Sequence, residues 1–165
     1  MMNGAGSIAQ QKSEMRSTMR MRLHETDAEE RRVRSEKIVA QLIETTEWIE
    51  ANVVALFEPM HGEPDVRLLR EFAAESGKEI AVVPRTAVNE SDVCFSLTPT
   101  LVLVPGLAFT RDGARLGRGG GFYDRLLHGQ AANACKDGIC FEVQLVEFVP
   151  SEPHDVVLDA VVTDA

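Results

Sequence analysis

The sequence predicts an α/β fold with three layers, in which helices cover both faces of an open, mostly parallel sheet. Three short apolar runs, Val53–Phe57, Ile80–Val83 and Leu101–Val104, have the length and composition of strands buried on both faces. Segments with helical patterns separate these runs, and strands that alternate with helices usually pair in parallel. A chain of 165 residues suits one sizeable core, so we expect a single domain over 12–165 after a flexible N-terminus at 1–11.

Three helices are predicted in the first half of the chain. Lys12–Leu23 carries apolar side chains at four-residue spacing on one face, as an amphipathic helix does. The pattern Thr-Asp-Ala-Glu is a capping box that predicts a second helix over Ala28–Glu44. Asp65 can cap a third helix that runs to about Ser76.

The second half is predicted to complete the sheet. One short strand is expected at Asp92–Leu97, a helix at Phe122–His128, and strands at Gly138–Val143 and Ala160–Thr163. In an open α/β sheet, ligands bind beyond the carboxyl ends of the strands. The loops that follow the strands are therefore the first places to look for functional residues.

The composition excludes several classes of protein. A net charge of −9 argues against a general nucleic-acid or anionic-membrane binder, so an anionic ligand needs a local basic site. No apolar stretch is long enough to span a bilayer, and Met1–Gln11 lacks the apolar core of a signal peptide. Cys94, Cys135 and Cys140 are odd in number and lack metal-type spacing, as expected in a reducing compartment. We expect a cytoplasmic monomer with structural thiols.

The most informative stretch is RLGRGGGFYDRLL, shortly after the run Leu101–Val104. Its glycines let the backbone approach a ligand closely and turn several N–H groups in one direction. Arginines at 111, 115, 118 and 125 surround them with positive charge, which predicts a phosphate site. The alternative is a solvated, flexible turn that binds nothing. The pattern is neither a P-loop nor a dinucleotide fingerprint, because the Lys-Ser/Thr pair and the strand directly before the glycines are absent.

The full string, VPGLAF followed by RLGRGGGFYDRLL, resembles the signature of the 5-formyltetrahydrofolate cyclo-ligase family. Two further patterns agree in order with that family: the Lys-xxx-Arg pair Lys12 and Arg16, and the closing His154-Asp155. The resemblance implies a fold like that of sugar-phosphate isomerases and coenzyme A transferases. It also implies the conversion of 5-formyltetrahydrofolate to 5,10-methenyltetrahydrofolate with consumption of ATP and magnesium as the cofactor, and with no nucleic-acid or membrane partner.

The resemblance also implies roles for particular residues. Lys12 and Arg118 are the expected catalytic residues, and Asp124 and Asp155 the expected magnesium ligands. The expected reduced-folate contacts are Glu58, Met60, Glu63, Arg118 and Phe122. The expected ATP contacts are Lys12, Arg16, Arg115, Gly117, Arg118, Gly119, Gly120, Gly121, Phe122 and Tyr123.

Simpler structural interpretations compete with several of these roles. Lys12 and Arg16 could belong to a solvated helix face, and Asp155 and His154 could be ordinary turn residues. Tyr123 could be a half-buried core residue.

The middle of the chain departs from the family. Only Thr86–Thr100 separates Arg85 from Leu101, where typical members carry a longer insert that forms part of the folate pocket. Gly120 stands where many members have a lysine and others a glycine. The alternative function is therefore a non-catalytic or altered-substrate relative that binds a nucleotide or a phosphorylated metabolite.

Overall fold

A five-stranded parallel sheet forms the centre of the molecule, as predicted. The computed structural model describes residues 6–165. The sheet has the strand order β2-β1-β3-β6-β7, and all its pairings are parallel. A separate antiparallel pair, β4 and β5, follows β3 in the chain. The strands are β1 (Val53–Phe57), β2 (Glu79–Val83), β3 (Leu101–Val104), β4 (Ala108–Phe109), β5 (Arg115–Leu116), β6 (Cys135–Ile139) and β7 (Ala160–Val162).

Helices cover both faces of this sheet, so the three-layer arrangement is confirmed. One face packs against helices α1 to α4, through residues such as Leu56, Leu103 and Leu42. The other face packs against α5, through residues such as Val104 and Leu126. The helices are α1 (Ile8–His24), α2 (Ala28–Leu42), α3 (Thr46–Glu50), α4 (Leu69–Glu75) and α5 (Phe122–His128).

The direction of winding reverses between β1 and β3. The chain leaves β1 for its neighbour β2 on one side and then returns to form β3 on the other side of β1. Neighbouring crossover loops therefore diverge at the carboxyl ends of β1 and β3, which leaves a crevice there. Pro105 ends β3 at this edge, so the predicted phosphate-binding stretch begins beside the crevice.

The ends of the first two helices follow local capping. The Ser7 side chain accepts a hydrogen bond from Gln10 N, so α1 begins at Ile8 and not at the predicted Lys12. The prediction of a flexible N-terminus falls partly on residues 1–5, which lie outside the described residues. Asp27 caps α2, which begins at Ala28 as predicted and ends two residues before Glu44.

Asp65 does not cap a helix, contrary to the prediction. Its carboxylate accepts hydrogen bonds from the backbone and side chain of Arg67, so it closes a local turn. The helix α4 begins only at Leu69 and is seven residues long.

The strand predicted at Asp92–Leu97 is also wrong. The Asp92 carboxylate accepts hydrogen bonds from the N–H groups of Val88 and Asn89, which fixes a single 3₁₀ turn at Glu90–Asp92.

The strand predicted at Gly138–Val143 lies three residues earlier, at β6. Its first residues were missed because they include Lys136 and Asp137, and charged residues are unusual in a central parallel strand. After β6 the Gln144 side chain accepts a hydrogen bond from Phe141 N, and a second 3₁₀ turn forms at Glu142–Gln144.

The hairpin of β4 and β5 was not predicted, and it is tied to the end of the chain. Leu158 N donates a hydrogen bond to Gly113 O in the hairpin turn. A Cβ atom at Gly113 would lie 2.2 Å from Leu158 O, so only glycine allows this approach. The last segment of the chain therefore fixes the hairpin from which the glycine loop continues.

Two findings bear on the surroundings of the protein. Within residues 6–165, no helix is long and apolar enough to cross a membrane. The three cysteines are free thiols, with Cys140 buried and Cys94 exposed.

We predict that the buried Asp137 makes the protein less stable as pH rises. Its side chain is fully buried, and its Oδ2 atom has no hydrogen-bond partner among the described residues. Burial, together with the negative charge of Glu47, raises the pKa of Asp137 to about 6 from 3.8. The unfolded chain ionises this group at lower pH, so the contribution of Asp137 to the free energy of unfolding should fall by about 3 kcal/mol as pH rises from 3.8 to 7.

Urea titrations at a series of pH values check this prediction. Asp137→Asn should abolish the fall, whereas Asp27→Asn, which keeps a helix cap and removes an exposed charge, should preserve it. A variant profile parallel to that of the original protein would contradict the assignment.

Candidate active site

A cavity of about 520 Å³ opens at the crevice described above. Its walls include residues that follow three adjacent strands: Glu58 after β1, Arg85 after β2, and Pro105 after β3. The volume is that of a typical small-molecule site. The cavity therefore lies where the topology of an open α/β sheet favours ligand binding.

The residues that the sequence predicted as contacts of nucleotide, substrate and metal all line this one cavity, whereas Arg111, which was expected beside the glycines, lies outside it and pairs with Glu142. The structure thus brings together positions more than a hundred residues apart, although it holds no ligand that would test their roles. They are Lys12, Arg16, Glu58, Met60, Glu63, Arg115, Gly117, Arg118, Gly119, Gly120, Gly121, Phe122, Tyr123, Asp124 and Asp155.

The glycine loop, residues 117–121, joins β5 to α5. Arg16 donates from Nε to Gly117 O at 2.9 Å, and Arg125 donates from Nη1 to Gly120 O at 2.7 Å. Gly119 has a φ of 115°, in the left-handed region that favours glycine. In the described part of the chain, the backbone N–H groups of residues 118–121 donate to no protein acceptor. The loop thus ties its carbonyl groups to arginines and leaves its amide donors open, as an anion site requires.

Lys12 connects α1 to the turn before the last strand. Its Nζ atom donates to Asp155 Oδ2 at 2.6 Å and to Glu152 Oε2 at 3.1 Å. Burial alone would lower the pKa of Lys12, but the hydrogen bonds to Asp155 and Glu152 outweigh burial and raise it. Burial alone would raise the pKa of Asp155, but the bonds from Lys12 and from Glu152 N lower it. Both groups are therefore charged at neutral pH.

Carboxylates gather on the same side of the cavity. Asp124 accepts a hydrogen bond from Val156 N at 3.0 Å, which holds it beside the residue that follows Asp155. Glu152, His154 and Asp155 each offer a ligand atom within 4.8 Å of one another. The two carboxylates of this cluster suit a hard cation such as Mg²⁺, which prefers oxygen ligands, whereas His154 offers only an imidazole nitrogen. Glu152 was not predicted, although the Glu-Pro-His-Asp pattern was a signal that could have identified it.

Arg115 is held by the protein on three sides. It donates to Pro105 O at 2.9 Å, its guanidinium lies 5.5 Å from the centre of the Tyr123 ring, and Nη2 lies 4.0 Å from Asp124 Oδ2. Burial lowers the pKa of Arg115 and raises that of Tyr123. Phe122 packs edge-on against Tyr123. Arg115 therefore orients the start of α5 as well as lining the cavity.

Glu63 and Arg118 join the loop after β1 to the glycine loop. Arg118 Nε and Nη2 both lie 3.2 Å from Glu63 Oε1, and Glu63 Oε2 accepts a hydrogen bond from Met60 N. The Glu63 side chain is only 4% exposed, so the pair is well shielded on the carboxylate side. Glu58 lies nearby and accepts a hydrogen bond from Arg85 N at 3.1 Å.

The short segment after β2 supplies a wall that the sequence did not predict. Arg85, Ala87, Val88 and Asn89 line the cavity, and Arg125 donates from Nη2 to Val88 O. The shortened middle of the chain therefore still contributes to the cavity.

Comparison with known proteins agrees with the resemblance. The model of the 5-formyltetrahydrofolate cyclo-ligase family matches residues 8–99 and 96–164. The 5-formyltetrahydrofolate cyclo-ligase of Escherichia coli K12 is 32% identical over 142 residues, which cover 68% of this chain and 78% of that protein. The one from Mycolicibacterium smegmatis is 44% identical over 81 residues, which span 49% of this chain and only 38% of that protein.

A solved 5,10-methenyltetrahydrofolate synthetase from Mycoplasma pneumoniae has a similar fold. Its TM-score is 0.79 at 24% identity, and the match covers 93% of this chain and 99% of that one. Most of the chain therefore shares a fold already seen in a solved protein.

We predict that Lys12 controls the ionisation of Asp155. Lys12→Gln removes the cation, so the pKa of Asp155 should rise, which carbon-detected NMR titration can measure. A carboxyl whose pKa is lower in the folded than in the unfolded protein stabilises the fold, and this stabilisation is lost as pH falls through the folded-state pKa. Because that pKa is higher in the variant, acid unfolding should begin at higher pH. Stability at pH 7 should fall by about 3 kcal/mol, since shielded carboxylates lose their partner.

The exposed Lys37 on α2 gives a matched control. Lys37→Gln should leave the Asp155 titration and the acid transition unchanged. An unaltered Asp155 pKa in the Lys12 variant would mean that the observed contact has no electrostatic effect.

Proposed function

The chain belongs to the 5-formyltetrahydrofolate cyclo-ligase family, and from that premise we propose that it converts 5-formyltetrahydrofolate to 5,10-methenyltetrahydrofolate, with release of ADP and phosphate. One observation carries the proposal. A single cavity combines open backbone donors and cations with a shielded carboxylate and apolar side chains.

The chemistry accounts for this combination. A formamide oxygen is a poor leaving group, so transfer of the ATP γ-phosphoryl group to it makes its departure possible. The N10 nitrogen then attacks the activated carbon, the ring closes, and phosphate leaves. Phosphoryl transfer needs positioning and charge neutralisation and no protein nucleophile.

The phosphate end is the glycine loop with Lys12, Arg16 and Arg118. Arg16 uses Nε for Gly117 O, and its other two nitrogens have no partner among residues 6–165, so they can donate to phosphate oxygens. Lys12 and Arg118 are the proposed catalytic cations, because both line the cavity and their positive charge would stabilise the negative charge of a transferring phosphoryl group.

The proposed magnesium ligands are Asp124 and Asp155. Their donor type fits, because carboxylate oxygens are the ligands that Mg²⁺ prefers. Bound Mg²⁺ supplies charge neutralisation for the phosphate oxygens. Glu152 is a third candidate, since its carboxylate already shares Lys12 with Asp155.

The folate end is proposed at Glu58, Met60, Glu63 and Phe122. Glu63 Oε1 and Oε2 each accept one protein donor and keep a second acceptor site, which suits the N–H donors of a pterin. The alternative, a relative that binds a nucleotide without catalysis, rested on the short middle. Its residues 87–89 nevertheless line the cavity, which supports the catalytic proposal. A cytoplasmic location and a monomeric state stay predictions.

The decisive experiment mixes the pure protein with 5-formyltetrahydrofolate and ATP and follows the absorbance of the methenyl product. We expect product only when Mg²⁺ is present, and none after chelation. If no product forms while calorimetry detects ATP binding, the non-catalytic alternative holds and the proposed function is wrong.

We predict that Arg16→Ala raises the KM for ATP by about 10- to 100-fold, as expected for one charge-assisted hydrogen bond. Steady-state kinetics at saturating folate measures this change. Arg20→Ala is the control, because Arg20 lies one turn along α1, is exposed and does not line the cavity. Equal effects of the two substitutions would remove Arg16 from the nucleotide site.

A further inference from the structure

Among the described residues, one arginine of the cavity, Arg85, has a side chain that neither a protein partner nor the proposed nucleotide and pterin contacts use. Three basic side chains of the cavity face carboxylates: Lys12 faces Asp155 and Glu152, Arg115 faces Asp124, and Arg118 faces Glu63. Two others, Arg16 and Arg125, donate to carbonyl groups of the glycine loop.

Arg85 differs from all of these. Its guanidinium makes no hydrogen bond or ion pair with any residue that the structure describes, although the residue lines the cavity. Its backbone is nevertheless fixed, because its N–H donates to Glu58 Oε2 and it directly follows Pro84. A free cation is thus placed at a defined point of the cavity rim.

Arg85 and the glycine loop follow different strands of the sheet. Arg85 follows β2, the edge strand, whereas the glycine loop continues from the segment after β3. Apolar residues line the cavity near Arg85, notably Val83, Pro84, Ala87 and Val88. Arg125 joins Val88 O of this wall to Gly120 O, so an anion that Arg85 binds from the cavity is best carried on an apolar body that packs against the wall.

We propose that Arg85 binds a carboxylate of the glutamate tail of the folate, with the aminobenzoyl ring against the apolar wall; this inference rests on the proposed function and specifies its substrate. A reduced folate has this distribution of groups: a pterin, a flat apolar ring and a dianionic glutamate. A guanidinium is well suited to hold a carboxylate in a bidentate pair. Arg85 thus makes the site selective for folates that carry their glutamate.

Equilibrium binding separates this role from others. Calorimetry is run without ATP on 5-formyltetrahydrofolate and on 5-formyltetrahydropteroate, which lacks the glutamate. Arg85→Ala should weaken folate binding by about 10- to 100-fold and leave pteroate binding unchanged. Arg85→Lys should recover part of the loss. The control is Arg111→Ala, an exposed arginine outside the cavity that pairs with Glu142, and it should change neither affinity.

Each other outcome overturns the inference. An equal loss of affinity for both ligands would mean that Arg85 contacts the pterin or has a structural role. A loss of ATP affinity would mean that it contacts the nucleotide. No loss at all would mean that the tail is free in solvent. Failure of the proposed function is distinguishable, because a protein that binds folate through Arg85 but forms no methenyl product contradicts only the catalysis. A protein that binds no folate contradicts both.

Discussion

The contact of Lys12 with Asp155 and Glu152 is the interaction on which the site depends. It joins residues 143 positions apart and holds the first helix against the turn before the last strand. A shielded ion pair adds little net stability, because desolvation offsets the attraction, but removing one partner is costly. The main effect of the contact is therefore to fix the position of α1 relative to the turn that contains Glu152 and Asp155. It brings a cation and the proposed metal ligands to one side of the same cavity, next to the glycine loop.

The sheet explains why the other contributors converge on this point. The winding reverses between β1 and β3, so the loops after the two strands separate and a cavity opens. Glu63 in the loop after β1 and Arg118 in the glycine loop then pair across it. The place of the cavity is thus set by topology, while the individual side chains determine which chemistry it can support.

Strong local signals predicted part of this structure from the sequence. The apolar runs at β1 and β3 and the helix at Phe122–His128 are confirmed, because burial and local pattern agree there. The strand β6 was predicted three residues too late, because the charged residues Lys136 and Asp137 break the apolar pattern on which the prediction relied. Many residues of the cavity could be named from the family resemblance, but Glu152, Arg85 and residues 87–89 were missed. No local pattern marks a cation, such as Arg85, that the fold leaves without a partner.

The close approach of Gly113 to Leu158 has a consequence for biosynthesis. The hairpin that precedes the glycine loop is fixed by Leu158, and Lys12 can form its ion pairs only once Glu152 and Asp155 are present. A nascent polypeptide that has emerged only as far as Pro150 lacks all three partners. The cavity consequently cannot assemble until residues 152–158 have been synthesised, later than β1, β2 and β3.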